Sequence, residues 1–136
     1  MTMKRELQHL TPKEAYAFLK SHPEALFIDC RSEIEYWFVG HPVGAVHVAW
    51  VEAPHWTRNP HFEDQVRKLA GDGLHRPVVV ICRSGNRSVA AGEALLAAGF
   101  THVINVVHGF EGDLDEHHHR SSVNGWRFDG LPWEQG

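Results

Sequence analysis

Two stretches of the chain are apolar at every position, Leu26-Phe27-Ile28 and Val78-Val79-Val80-Ile81. Unbroken runs of this length, rich in β-branched residues, predict strands buried on both faces, as in a parallel sheet between helices. Helical patterns flank them. Thr11, Pro12 and Glu14 supply an N-cap, a proline at the first helical position and a capping-box carboxylate. A helix is therefore predicted from about 12 to 21, with Ala15, Phe18 and Leu19 on one face. Ser32 and Glu35 repeat the capping spacing and predict a short helix over 33–39. Residues 61–70 read as another helix, stopped by Gly71-Asp72-Gly73, and the alanine-rich run from Ser88 to Ala98 as a third, closed by Gly99. Leu7 to Leu10 reads as an extended lead, Gly40 to Gly44 as a turn, 45–48 as a strand, 49–60 as an irregular loop and 102–107 as the last strand. Strands alternating with helices at this spacing predict an α/β fold with a mainly parallel sheet.

Composition narrows the class. A chain of 136 residues suffices for one domain with a real core, and the span 1–136 is read as one. A net charge of −4 gives no basic surface for nucleic acid or an acidic membrane. No apolar run approaches the roughly 18 residues of a membrane span, and Met1 to Glu6 leads into no apolar signal segment. Two cysteines are too few for a disulfide framework, so a reducing compartment, the cytoplasm, is expected.

The chemistry concentrates at Cys82. In open α/β sheets ligands bind beyond the carboxyl ends of the strands, and Cys82 follows the second apolar run there, just ahead of a helix. An ordinary cysteine, with a pKa of about 8.5, is only about 3% ionised at pH 7, and lowering that value by about two units takes about 2.7 kcal/mol. A helix N-terminus contributes about 0.3–1 kcal/mol, at best about 2. Backbone N–H groups of a curled loop and the charges of Arg83 and Arg87 are the groups available to supply the rest. Gly85 and Asn86 are residue types that tolerate the left-handed backbone of such a loop.

Several segments, in order, resemble the single-domain rhodanese-like sulfurtransferases. They are Ile28-Asp29-Cys30-Arg31 with Glu35-Tyr36, the run Gly40 to Ala45, the loop Cys82-Arg83-Ser84-Gly85-Asn86-Arg87-Ser88, Gly99-Phe100, Gly125-Trp126 and Gly130-Leu131-Pro132-Trp133. The resemblance implies a five-stranded, mainly parallel sheet flanked by helices on both faces. It also implies that Cys82 takes a sulfane sulfur from thiosulfate or a persulfide donor and passes it to a thiol acceptor, a sulfur-carrier protein among the candidates. Arg83, Ser84, Gly85, Asn86, Arg87 and Ser88 are then the donor-binding residues, Asp29 and Arg31 a supporting pair, and no metal or cofactor is needed. The alternative is a sulfur-relay or regulatory module that acts on a protein partner with little small-molecule turnover. Phosphatases and arsenate reductases with a similar loop place arginine six positions after cysteine. Here the sixth position is Ser88 and arginine falls at the fifth, which leaves the loop one residue short for phosphate.

Two departures from the family pattern stand out. Cys30 occupies a position where relatives more often carry valine or threonine, beside Cys82 in the family's strand order. A small buried residue is the expectation, and a resolving thiol or a disulfide with Cys82 the alternative. The second departure is an insertion from Glu111 to Asn124 that carries four acidic residues, His117, His118, His119 and Arg120. It is expected on the active-site side, as a solvated loop in place of a metal site, with gating or partner choice as its functional reading. His47 is expected to be a satisfied structural residue. Trp37, Trp50, Trp56, Trp126 and Trp133 are expected to be packing, and a place at the pocket mouth is the alternative for Trp50 or Phe110.

Overall fold

The computed structural model describes residues 6–52 and 54–135. Residues 1–5 lie outside that description, and with them the expectation that no signal segment begins there; so do residues 53 and 136. In chain order the elements are β1 (Gln8–Leu10), α1 (Pro12–Ser21), β2 (Leu26–Asp29), a π-helical turn (Glu35–Val39), β3 (His41–Pro42), β4 (Val46–His47), β5 (Val51–Glu52) and β6 (Thr57–Arg58). Then follow α2 (Phe62–Leu69), β7 (Val78–Ile81), α3 (Arg87–Ala97), β8 (Val103–Val106) and β9 (Trp133–Glu134).

Five strands form one parallel sheet in the order β1-β8-β7-β2-β4. The two apolar runs are its centre, with Leu26, Phe27 and Ile28 registered against Val78, Val79 and Val80. Because successive strand side chains point to opposite faces, the same runs feed two cores. Leu26, Ile28, Cys30, Val78, Val80 and Cys82 pack with Phe62 and Val66 of α2 and Ala91 and Leu95 of α3. Phe27, Val79, Ile81, Ile104 and Val106 pack with Ala15 of α1, under Phe110 and Trp126. Helices therefore cover both faces, which is why neither central strand alternates with polar residues.

The capping box of α1 forms as its sequence indicates. The Glu14 N–H donates to Thr11 Oγ1 at 3.2 Å and the Thr11 N–H to Glu14 Oε1 at 2.9 Å. Elsewhere tertiary pairing changes the expectation. The extended lead is an edge strand, β1, with Gln8 registered against Ile104. The expected 40–44 turn opens with β3, which pairs antiparallel with β9 near the other end of the chain. The 49–60 loop holds a small hairpin of β5 and β6. The 33–39 helix ends in a wider turn, the Gly40 N–H reaching back five residues to the Glu35 carbonyl at 3.3 Å. Among the described residues, no helix is long and apolar enough to cross a membrane.

Candidate active site

Cys82 directly follows β7 and is 1% exposed at the floor of a loop that turns directly into α3. Gly85 makes the turn at φ +101°, and its N–H donates to the Cys82 sulfur at 3.1 Å. Asn86 needs no left-handed backbone; at φ −88° and ψ −51° it is already helical, so only glycine carries the unusual conformation. The loop is braced from behind by the segment after β8. The Phe110 N–H donates to the Cys82 carbonyl at 2.8 Å, and the Glu111 and Gly112 N–H groups to the Arg83 carbonyl at 2.9 and 3.1 Å. A Cβ at Gly109 would overlap the Cys82 carbonyl oxygen, so this close approach also depends on glycine.

The sulfur has a second neighbour of its own kind. Cys30 follows β2 as Cys82 follows β7, and the Cys30 N–H donates to the Ile81 carbonyl at 2.9 Å, extending the ladder by one residue. The two side chains share a core face, and each thiol influences the ionisation of the other. The Cys30 thiol is the largest influence on Cys82, and with the neighbouring Ser88 and the Gly85 N–H it outweighs the opposing effect of burial. The Cys82 pKa falls to about 5. Burial and the adjacent Cys82 sulfur push Cys30 well above the usual thiol range. The pair thus holds one proton, on Cys30, and one negative charge, on Cys82. At pH 7 the ionised fraction of Cys82 rises from about 3% for an ordinary cysteine to near completeness. Alkylation of Cys82 by iodoacetamide is expected to stay flat between about pH 8 and 6 and to fall about tenfold per unit below about pH 5. A midpoint near 8.5 for alkylation would contradict this.

Ser88 links the sulfur to a longer polar chain. Its Oγ lies 3.2 Å from Cys82 Sγ and donates to Asn105 Oδ1 on β8, while Asn105 Nδ2 lies 3.2 Å from His9 Nδ1 on β1. Ser88 therefore occupies the sixth loop position beside the sulfur, its hydroxyl hydrogen directed to Asn105.

The charges at the loop are arranged differently from the sequence expectation. Arg87 is paired at 2.8 Å through each of two guanidinium nitrogens with the two oxygens of Glu35. Glu35 compensates part of its charge, and Arg87 and the Cys82 thiolate still attract one another. Burial opposes charge on Glu35, but the Arg87 bonds and those from Ser32 prevail and leave its pKa at about 2. A cavity of about 470 Å³ opens here, lined by Glu35, Val39, Trp56, Arg83, Arg87, Glu111 and Arg120. Arg83 and Asn86 are exposed and Ser84 half-buried, so this face of the loop is open to a ligand.

The mouth residue is Trp56, with the Arg87 guanidinium 5.7 Å from its ring. Trp50 instead packs edge-on against Phe62, and Phe110 is fully buried. Of the tryptophans expected to pack, Trp126 is 1% exposed, whereas Trp37, Trp56 and Trp133 are 39–53% exposed. Asp29 and Arg31 form a fully buried pair at 2.6 Å. Arg31 also donates to the Gly40 carbonyl and lies 4.5 Å from the Phe110 ring centre, while its own carbonyl lies 2.7 Å from His47 Nε2. The pair thus ties the end of β2 to its surroundings, and His47 is satisfied.

The insertion reaches the cavity through Glu111 and Arg120. Asp115 organises it, accepting the N–H groups of His117 and His119 at 2.8 and 2.9 Å, and Arg120 donates to the Gly112 carbonyl at 2.7 Å. Among the described residues no group of three His, Cys, Asp or Glu side chains is placed to hold a metal ion. Glu35, Trp56, Glu111, Arg120 and Asn105 were not singled out as site residues in the sequence; each reaches the site from a distant segment, with no local signal.

The Rhodanese-like domain family matches residues 11–116, most of the chain. This protein belongs to the rhodanese-like domain family. The match ends inside the insertion, so the rhodanese-like core is followed by a carboxyl-terminal segment that supplies Arg120, Trp126 and β9. The crystal structure of Rv0390 from M. tuberculosis is 40% identical, covers 95% of this chain and 98% of its own, and superposes with a TM-score of 0.84. Thiosulfate sulfurtransferase GlpE of Pseudomonas fluorescens is 33% identical over 106 residues, which are 78% of this rhodanese-like chain and 84% of that protein. The polysulfide-sulfur transferase homodimer of Wolinella succinogenes is 25% identical with a TM-score of 0.65, over 96% of this chain and 80% of that one.

Proposed function

We propose that this rhodanese-like chain is a sulfurtransferase that moves a sulfane sulfur from thiosulfate or a persulfide donor to a thiophilic acceptor through a persulfide on Cys82. The observation that carries the reading is a buried cysteine whose sulfur accepts the Gly85 N–H and whose pKa falls to about 5, in a loop whose Arg83 and Arg87 line an open cavity. The thiolate attacks the outer sulfur of thiosulfate, the sulfur–sulfur bond breaks and sulfite leaves with the electron pair. An acceptor thiolate then attacks the terminal sulfur and returns Cys82 to its resting state. The N–H groups that stabilise the thiolate also stabilise the charged persulfide. A serine at the sixth loop position, in place of arginine, argues against a phosphatase. Two free thiols suit a reducing compartment, and we place the chain in the cytoplasm.

Intact-mass analysis after incubation with thiosulfate tests the reading. Wild type is expected to become one sulfur atom heavier and Cys82→Ser to stay unchanged. Failure of wild type to load from thiosulfate or a low-molecular-weight persulfide would count decisively against it. Arg83 and Arg120 carry the uncommitted positive charge at the mouth, since Arg87 is paired with Glu35. Arg120→Ala is expected to raise the KM for thiosulfate about threefold to tenfold with little change in kcat, an effect that shrinks as salt is added. Steady-state kinetics at two ionic strengths check it.

A further inference from the structure

Cys30 and Cys82 directly follow neighbouring strands whose last registered pair is Asp29 and Ile81, and their side chains pack in the same core cluster. Neighbouring strands run about 4.8 Å apart. A disulfide accepts Cα separations of about 4.4–6.8 Å, so bonding these two sulfurs requires little movement of the sheet. Cys30 is 0% exposed and packed in the core, so neither a donor nor an acceptor in solution reaches it. The one reactive sulfur within its reach is Cys82.

From this geometry, and resting on the sulfurtransferase reading, we infer that Cys30 is a resolving thiol that discharges the Cys82 persulfide, releasing the bound sulfur as sulfide and leaving a Cys30–Cys82 disulfide. The step balances without an outside oxidant. Cys30 Sγ bonds to Cys82 Sγ, the persulfide sulfur–sulfur bond breaks, and the terminal sulfur departs as HS⁻ carrying the proton that Cys30 held. The oxidising equivalent is the sulfane sulfur itself, which is reduced to sulfide as the two cysteines are oxidised. A dithiol then reduces the disulfide, is itself oxidised, and restores the Cys30 thiol and the Cys82 thiolate. The protein would thus have a second activity, dithiol-dependent reduction of sulfane sulfur to sulfide, alongside transfer to an acceptor thiol. Burial makes the intramolecular route self-limiting, because Cys30 works once per reduction of the pair.

The test is a single-turnover experiment free of reductant. Reduced wild type and Cys30→Ser are loaded with thiosulfate, excess donor is removed, and free sulfide and intact mass are followed. Serine keeps a hydroxyl donor toward the Cys82 sulfur and lacks the second sulfur. Wild type is expected to release about one equivalent of sulfide and to end two hydrogens lighter than the reduced chain, with peptide mapping locating a Cys30–Cys82 bond. Cys30→Ser is expected to stay one sulfur heavier, with sulfide release at least about tenfold slower. Cys30→Val, which preserves an apolar side chain in the core and is loaded to completion at about pH 9 to offset the lost thiol, replaces it if the serine variant fails to fold. A wild-type persulfide as long-lived as that of the variant, or sulfide release without the disulfide, overturns the inference and leaves the sulfurtransferase reading standing. No loading in any form overturns both.

Discussion

Cys82→Ser is expected to lower thiosulfate-dependent sulfite release by about 10⁴-fold or more, which corresponds to about 5.5 kcal/mol of transition-state stabilisation. Serine is close in size and fits the same floor, with the Gly85 N–H at 3.1 Å and Ser88 Oγ at 3.2 Å from the atom it replaces. The fold should therefore survive, and the loss is one of chemistry. A hydroxyl stays protonated where the Cys82 thiol, at about 5, is ionised, and oxygen forms no transferable persulfide. Steady-state sulfite release, with circular dichroism on both proteins, checks the expectation. Activity within tenfold of wild type would mean that another group receives the sulfur.

Asp29→Ala is the variant expected to cost most in stability. Asp29 accepts the Arg31 N–H at 3.1 Å, Nε at 2.9 Å and Nη2 at 2.6 Å, and both side chains are 0% exposed. Removing the carboxylate leaves a guanidinium in the core with the Gly40 carbonyl and the Phe110 ring as its remaining partners. Breaking one side of such a pair costs about 3–5 kcal/mol. That is a large share of the roughly 5–15 kcal/mol that holds a domain of this kind together. The urea midpoint is expected to fall with an unchanged slope. A shift worth less than about 1 kcal/mol would show that the site relaxes or admits water around Arg31. Because Cys30 lies between the two residues in sequence, the surviving folded fraction should also show a weakened contact between the thiols, read as a higher midpoint for Cys82 alkylation.

The structure adds partners to the site that the sequence does not show, each from another segment. Arg87, a candidate for binding the anionic donor, pairs through both outer nitrogens with Glu35, the residue that also closes the Ser32 capping box. Trp50 packs as expected, against Phe62 of α2, and Trp56 on the β5–β6 hairpin lines the cavity. Cys30 and backbone N–H groups join Arg87 in favouring the Cys82 thiolate. Charge and aromatic character are visible in a sequence, whereas the partner that neutralises a charge or covers a ring belongs to another segment.

What the sequence by itself determined is everything governed by short-range rules. The unbroken apolar runs specify strands covered on both faces, Thr11 to Glu14 specifies where α1 begins, and Cys82 to Ser88 specifies a loop tight enough for a sulfur nucleophile. Those signals are legible because hydrogen-bond periodicity, capping and backbone freedom depend on residues a few positions apart. Only the tertiary structure decided that Gln8–Leu10 is a strand, that His41–Pro42 pairs with Trp133–Glu134, that Arg120 reaches the cavity, and that Cys30 and Cys82 pack in one core cluster. An edge strand, a two-residue ladder and a pair of thiols each need a partner brought from far along the chain. That partner arrives only when the sheet closes around its two apolar strands.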